Sequence, residues 1–261
     1  MGIKSSHIRI GSTFYGSPLF SRDSIRNHLF YASKWGYDYE PKVGNIPFRR
    51  HHSWAKPFLA LEAFDVGFDY FFWMDGDSWF LNSEKSLESF VELNRDFVFT
   101  GDHNDIFNGG HFLVRNTLWT REFLQDWCRI HYLPKTQLAT THRQGDYLDD
   151  QPAMIALLAG ADPNDSRTWE ESFNRVNGFP GNPNRRLRDF SSGYAPISVE
   201  GALNAMTLIA PHYRDFCWIV PQREMNSYPD DFSLEDLCIH FVGGTKGFMQ
   251  QLAPYICFDL P

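Results

Sequence analysis

Two aspartates flank a glycine at Asp75-Gly76-Asp77, directly after the apolar run Tyr70-Phe71-Phe72-Trp73-Met74. Alternate residues of an extended segment point the same way, so Asp75 and Asp77 can reach one ion. Hard divalent cations such as Mn2+ or Mg2+ take carboxylate oxygens and share themselves with substrate phosphates. A cation held there offsets the charge of a diphosphate leaving group. The competing reading is a turn whose two carboxylates only face water.

Three further groupings have residue types suited to chemistry. Asp149-Asp150-Gln151 opens a helix, where acidic residues also serve simply as caps and dipole partners. His240 ends the strand-like Ile239-His240-Phe241-Val242 and is followed by Gly243-Gly244-Thr245-Lys246. Glycines there permit close backbone approach, and Lys246 suits a phosphate, although a lone histidine is commonly a satisfied core residue. Phe107-Asn108-Gly109-Gly110-His111 reads as a turn entering a strand, and needs no function to explain it.

The elements that must position these groups follow from periodicity. His7–Phe14 reads as a buried strand, Ser21 to Gly36 as a helix, and Tyr37–Val43 as a second strand. Ser53 can cap a helix with Phe58, Leu61 and Phe64 on one face. Asp69–Met74 is apolar after its first residue, as a strand covered on both faces should be. Helix over Ser83–Leu93 and strand over Asp96–Thr100 follow, then strand His111–Arg115, helix Thr117–His131 and helix Asp149–Ala159. Asp162–Pro196 is rich in Asn, Pro, Gly, Arg and Ser and reads as a long functional loop. Thr207–Ala210, Phe216–Val220 and Leu237–Val242 read as late strands. Repeated strand–helix–strand units predict an α/β fold with a mostly parallel central sheet flanked by helices. Without a visible linker, residues 1–261 are expected to form one domain.

Composition narrows the function. At 43% hydrophobic residues the chain is an ordinary globular protein. A net charge of −8 argues against a nucleic-acid partner, and the short basic clusters Arg49-Arg50-His51-His52 and Arg185-Arg186-Leu187-Arg188 do not alternate with aromatics. An aromatic share of 16% supplies a bulky core, and rings that could stack on sugar faces. Cys128, Cys217, Cys238 and Cys257 show no metal-binding spacing and read as reduced core thiols of a cytosolic protein. No stretch reaches the length of a membrane span, and Met1-Gly2-Ile3-Lys4-Ser5-Ser6 has no apolar leader, so a cytoplasmic location is expected. The residues leave oligomeric state open.

Asp75-Gly76-Asp77-Ser78-Trp79 with Gly145-Asp146-Tyr147-Leu148-Asp149-Asp150 resembles the motifs of haloacid-dehalogenase-type phosphatases, which would make Asp75 a nucleophile and Asp77 a general acid. Trp79 departs from the Thr or Val usual there, and that family places the motif near its N-terminus.

A wider resemblance covers nearly the whole chain in order. Gly36-Tyr37-Asp38-Tyr39, Trp54-Ala55-Lys56-Pro57, Trp73-Met74-Asp75-Gly76-Asp77, Asn108 to Trp119, Asp149-Asp150-Gln151, Val220 to Tyr228 and His240-Phe241-Val242-Gly243 together resemble the galactosyltransferase family of plant xyloglucan xylosyltransferases and fungal α-galactosyl- and mannosyltransferases. That resemblance implies a GT-A fold, a Mn2+ ion and retaining transfer of a hexose or pentose from a nucleotide-sugar, usually a UDP-sugar, to a glycan or other hydroxyl acceptor. It implies Asp75, Asp77 and His240 as metal ligands, and Asp149, Asp150 and Gln151 beside the donor sugar. It implies Lys56, Gly76, Asn108, Gly109, Gly243 and Lys246 as contacts to the donor or its phosphates, and Thr13, Phe14 and Tyr15 near the nucleoside. Residues 1–115 would then be the donor-binding half and 116–261 the acceptor half. Many relatives have G-C-K where this chain has Gly243-Gly244-Thr245-Lys246, so the lysine comes one residue later. A catalytically inactive sugar-binding domain is the non-enzyme alternative; dense carboxylates and His240 fit it poorly.

Overall fold

The structure is a computed structural model, and it describes residues 7–15, 18–44, 52–101, 107–130, 143–144, 147–148, 150–165, 167–177, 198–253 and 256. Its strands are β1 (Ile8–Phe14), β2 (Asp38–Val43), β3 (Tyr70–Met74), β4 (Ser78–Phe80), β5 (Phe97–Thr100), β6 (Asn108–Arg115), β7 (Arg143–Gln144), β8 (Tyr147–Leu148), β9 (Cys217–Val220) and β10 (Cys238–His240). Its helices are α1 (Pro18–Trp35), α2 (Ala55–Asp65), α3 (Glu88–Val91), α4 (Leu118–Ile130), α5 (Asp150–Leu158), α6 (Arg167–Asn177), α7 (Val199–Met206), α8 (Gln222–Met225) and α9 (Gly247–Leu252).

Six strands form the central sheet in the order β2-β1-β3-β6-β5-β9. β1 pairs in parallel with β2 and β3, and β5 with β9, while β6 runs antiparallel between β3 and β5. The mostly parallel expectation therefore holds, with β6 as the one reversed strand of this sheet. β3 shows why an apolar run becomes a central strand. Phe71 and Trp73 enter the hydrophobic cluster under α2, α4, α5, α6 and α7, whereas Phe72 and Met74 enter the cluster on the opposite face, against α1. A strand covered on both faces has no position left for a polar side chain. β9 reaches this sheet from the second half of the sequence, so the two sequence halves share one sheet.

A second, two-stranded sheet fixes the site. β4, just after Asp77, pairs antiparallel with β10, placing His240 opposite Ser78. The Phe241 N–H donates to the Asp77 carbonyl oxygen at 2.8 Å and the His240 N–H to the Ser227 carbonyl oxygen at 2.8 Å.

Several elements depart from expectation. The helix expected over Ser83–Leu93 shrinks to α3, because the backbone before it is engaged elsewhere. Leu81 N–H donates to the Leu237 carbonyl, and the Ser83 and Lys85 carbonyls accept from Trp35 Nε1 and the Tyr31 hydroxyl. Thr207–Ala210 is not a strand. It turns away from α7, and the Ala210 N–H donates to the Leu158 carbonyl while Leu208 and Ile209 fill the core. Part of the stretch expected as a loop over Asp162–Pro196 is α6, whose Trp169, Phe173 and Val176 recur at helical spacing and are buried. Residues 166 and 178–196 of that stretch lie outside the described residues. α2 follows a 3-10 turn at His52–Trp54 and has no side-chain cap; its buried stripe is Lys56, Leu59, Ala60, Ala63 and Phe64, with Phe58 and Leu61 only half-buried. The core claims the small residues of α2 because they let it lie close on the sheet.

Cys128, Cys217 and Cys238 are free and buried, as expected for core thiols; Cys257 lies outside the described residues. No helix among the described residues is long and apolar enough to cross a membrane.

Candidate active site

Asp75 and Asp77 leave the end of β3, and the β4–β10 pairing brings His240 to them. One ligand atom from each of the three lies within 4.8 Å of the others. His240 Nε2 is 3.2 Å from Asp77 Oδ1 and 3.7 Å from Asp75 Oδ2. Ligands about 2.1 Å from a common small divalent cation stand roughly 3 to 4.2 Å apart, and both separations from His240 fall in that range. Two carboxylate oxygens and one imidazole nitrogen suit Mn2+, which accepts both donor types.

Each ligand is held from behind. Asp75 Oδ1 accepts from the Trp73 indole Nε1 at 2.8 Å and lies 3.3 Å from Lys56 Nζ, leaving Oδ2 on the side of His240. The backbone N–H of Asp75 donates to the Gly110 carbonyl and that of Ser78 to the Asp75 carbonyl. Gly76 lies where a Cβ would fall 2.4 Å from the Thr13 carbonyl oxygen, so this turn needs a residue without a side chain against the end of β1. Gly243, at φ +54°, starts the 3-10 turn Gly243–Lys246. That turn carries Lys246 to Asp77, whose Oδ2 lies 2.9 Å from Nζ.

The electrostatics separate the two carboxylates. Burial raises the Asp75 pKa, and Asp77 and Asp150 add to that against the pull of Lys56 and His240. Burial opposes ionisation of Asp77 too, but His240 and Lys246 outweigh it and hold the group below the ordinary carboxylate range. Burial would lower His240, yet Asp77 and Asp75 raise it. Such a concentration of negative charge, partly balanced by its own histidine and lysines, is what a divalent cation would neutralise.

Lys56 joins this cluster to the start of α5. It is 4% exposed, and its Nζ contacts Asp150 Oδ2 at 2.9 Å, Asp75 Oδ1 at 3.3 Å and the Gly109 carbonyl at 2.8 Å. Lys56 Nζ donates a hydrogen bond to the Gly109 carbonyl and ion-pairs with both carboxylates, so it joins β6, the Asp75 turn and the start of α5. Burial would raise Asp150, but Lys56 and a hydrogen bond from Ser53 lower it. Gln151, half-buried, accepts the Gly109 N–H at 2.8 Å through Oε1. Asp149 lies outside the described residues.

The structure thus gathers Asp75, Asp77, His240 and Lys246 in one cluster and links Lys56, Gly109, Asp150 and Gln151 to it. Asn108 is buried on β6, and its Oδ1 accepts the Gly110 N–H at 2.7 Å. Thr13 and Phe14 are buried at the end of β1 against Gly76, and Tyr15 is exposed and stacked on His52 with centroids 5.1 Å apart. Asn108–His111 lies within β6 and not in a turn before it: Asn108 pairs with β5 and His111 with β3, with a register shift at Phe99/Thr100 that leaves Gly109 and Gly110 between them. Sequence reasoning gave no role at the site to Trp73, Asn226 or His111, and read Ser53 only as a helix cap. An indole or amide used only to aim a ligand leaves no spacing signature.

No protein-family profile matches the sequence, and neither does any curated protein. Among solved structures, the chain is similar to a glycosyltransferase involved in the glycosylation of the major capsid of PBCV-1, with TM-score 0.58 and 13% identity over 96% of this chain and 100% of that one. The galactosyltransferase LgtC in complex with donor and acceptor sugar analogs matches at TM-score 0.40 and 10% identity over 97% of each chain. GlyE of Streptococcus pneumoniae TIGR4 matches at TM-score 0.38 and 15% identity, over 59% of this chain and 43% of its own. In its architecture, the chain has the GT-A fold of glycosyltransferases.

Proposed function

We propose that the protein is a metal-dependent, retaining glycosyltransferase. It moves a hexose or pentose from a nucleotide-sugar, a UDP-sugar by preference, to a hydroxyl acceptor such as a glycan. The observation that supports this most is the convergence of Asp75, Asp77 and His240 at the carboxyl end of a central strand in a GT-A fold. Ligands of open α/β sheets collect at that end.

Asp75, Asp77 and His240 would hold Mn2+, which when bound supplies positive charge to the departing diphosphate. Lys246, half-exposed beside Asp77, would pair with a phosphate oxygen once the charge on Asp77 is otherwise met. Gly76 and Gly243 would let the diphosphate approach the backbone. Thr13, Phe14 and Tyr15 would border the nucleoside. Asp150 and Gln151, at the start of α5, would lie along the donor sugar, with Asp149 beside them. Asp150 is ion-paired to Lys56 and buried, which weakens it as a nucleophile. That favours front-face transfer, in which the acceptor hydroxyl attacks the anomeric carbon as its bond to the diphosphate breaks. The leaving phosphate oxygen then takes the hydroxyl proton. On this reading the chain is a single catalytic domain. Its metal site draws on both sequence halves, since His240 and Lys246 come from the second.

A screen of nucleotide-sugars with Mn2+, reading released nucleotide, tests the proposal. One or more donors should be turned over, and the Asp75→Ala and Asp77→Ala proteins should lose that turnover. Full activity in either variant refutes the metal assignment. A folded wild-type protein that binds sugars but turns over no donor supports the inactive sugar-binding alternative.

A further inference from the structure

Behind His240 runs a chain of side-chain amides whose hydrogen-bond directions are all fixed. It starts at a backbone N–H, which can only donate. The Gly110 N–H donates to Asn108 Oδ1 at 2.7 Å, so that atom is an acceptor. Asn226 meets the same oxygen at 3.0 Å and must do so through its Nδ2, a donor. The other end of the Asn226 amide is therefore its oxygen. Asn226 Oδ1 lies 2.8 Å from His111 Nδ1 and 3.0 Å from His240 Nδ1. An amide oxygen accepts only, so both imidazoles carry a proton on Nδ1.

From this chain we infer that Asn226 is a positioning residue that sets the proton address and ring plane of His240. With Nδ1–H committed to Asn226, Nε2 is the nitrogen presented to Asp75 and Asp77. A metal ligand needs a bare nitrogen on the metal side, and the hydrogen bond at the other nitrogen selects it. The ring plane is fixed as well. A Cβ on Gly110 would lie 2.8 Å from His240 Cε1 and 2.9 Å from Asn108 Oδ1, so the ring lies close against a backbone that leaves room only for glycine. Asn226 is itself anchored, because Gln222 Nε2 donates to its carbonyl oxygen at 3.2 Å. It is completely buried, as is His111, whose ring crosses that of His240 at 87° with centroids 5.1 Å apart. One amide oxygen thus orients two perpendicular imidazoles, one of which faces the carboxylates.

The inference rests on the metal reading of Asp75, Asp77 and His240, and the test separates the two. Calorimetric titration with Mn2+ alone is run on the wild-type, Asn226→Leu and Asn226→Asp proteins. The Leu side chain has a similar volume and no acceptor, and should weaken Mn2+ by about 10- to 100-fold. Asp keeps an acceptor for both Nδ1–H groups, although it loses the donor to Asn108 Oδ1, and should bind Mn2+ more tightly than the Leu variant. Equal Mn2+ affinity in the Leu variant and wild type overturns the inference and leaves the metal site standing. A wild-type protein without Mn2+ affinity overturns both. Long-range 15N–1H correlation spectra of the metal-free wild-type protein add a reading that needs no variant to fold. Protonated Nδ1 on both His111 and His240 is expected, and a bare Nδ1 on either ring overturns the inference.

Discussion

Replacing Lys56 by Met should be among the more damaging single changes to stability in this protein. Lys56 Nζ lies 2.9 Å from Asp150 Oδ2 and 3.3 Å from Asp75 Oδ1, and the Lys56 and Asp150 side chains are 5% and 7% exposed. At an effective dielectric of about 20, charges 2.9 Å apart attract by roughly 6 kcal/mol. Desolvating both groups cancels most of that gain, so the pair as a whole contributes little net stability. Removing only the cation is different, because Asp150 keeps its burial and loses its counter-charge. Such a one-sided break costs about 3–5 kcal/mol. The sign with pH follows from the shifts. In the native protein the pKa of Asp150 is lowered, so its contribution is present above the ordinary carboxylate range and lost in acid. In Lys56→Met burial is opposed only by the hydrogen bonds to Asp150, from Ser53 and the backbone, so the pKa rises, and the penalty shrinks as pH falls and the carboxyl protonates. Urea unfolding at pH 7.5 and pH 5, on wild type, Lys56→Met and Lys56→Met/Asp150→Asn, measures each term. The single variant should lose about 3–5 kcal/mol at pH 7.5 and less at pH 5, and the double variant should recover most of the loss. A single variant within about 1 kcal/mol of wild type at both pH values would refute the claim that Lys56 compensates buried charge.

Two further outcomes follow from the geometry. Gly76→Ala sets a Cβ 2.4 Å from the Thr13 carbonyl oxygen, so it should cost about 1–3 kcal/mol in urea unfolding and abolish nucleotide-sugar turnover. Full turnover in this variant would show that the turn tolerates a side chain. Burial lowers the His28 pKa to about 4, and its ring is bonded to the Ser78 carbonyl at 2.8 Å and the Tyr39 hydroxyl at 3.0 Å. Its contribution is full above the unfolded value and lost as pH falls from about 6.5 towards 4, so moving from pH 7 to pH 5 should remove about 2 kcal/mol, and His28→Gln should abolish that share. An unchanged pH slope in the variant would contradict it.

The two halves of the site were legible to different degrees. Asp75-Gly76-Asp77 announced itself because an apolar run ending in paired carboxylates is rare and local. β3 was readable for the same reason, since burial on both faces leaves an unbroken hydrophobic signature. His240 and Lys246 were placed at the site by resemblance, and only the antiparallel pairing of β4 with β10 shows how they arrive. That pairing joins two three-residue strands, too short to carry a periodic pattern. Asn108 to His111 looked like a turn because its glycines suggest one, yet the second of them is there to admit an imidazole ring. α6 was hidden by the polar residues around its Trp169, Phe173 and Val176 stripe. Lys56 was put beside the donor by resemblance, and its contacts to Asp75, Asp150 and the Gly109 carbonyl are ones that no sequence spacing reveals.

The central claim is that Asp75, Asp77 and His240 hold a cation which in turn holds a nucleoside diphosphate. Calorimetric titration of UDP into the protein, with Mn2+ and again with a chelator, tests it directly. The account predicts UDP binding that requires Mn2+ and disappears in Asp77→Ala. UDP binding of equal strength with and without Mn2+, or no binding of any nucleoside diphosphate, would contradict it.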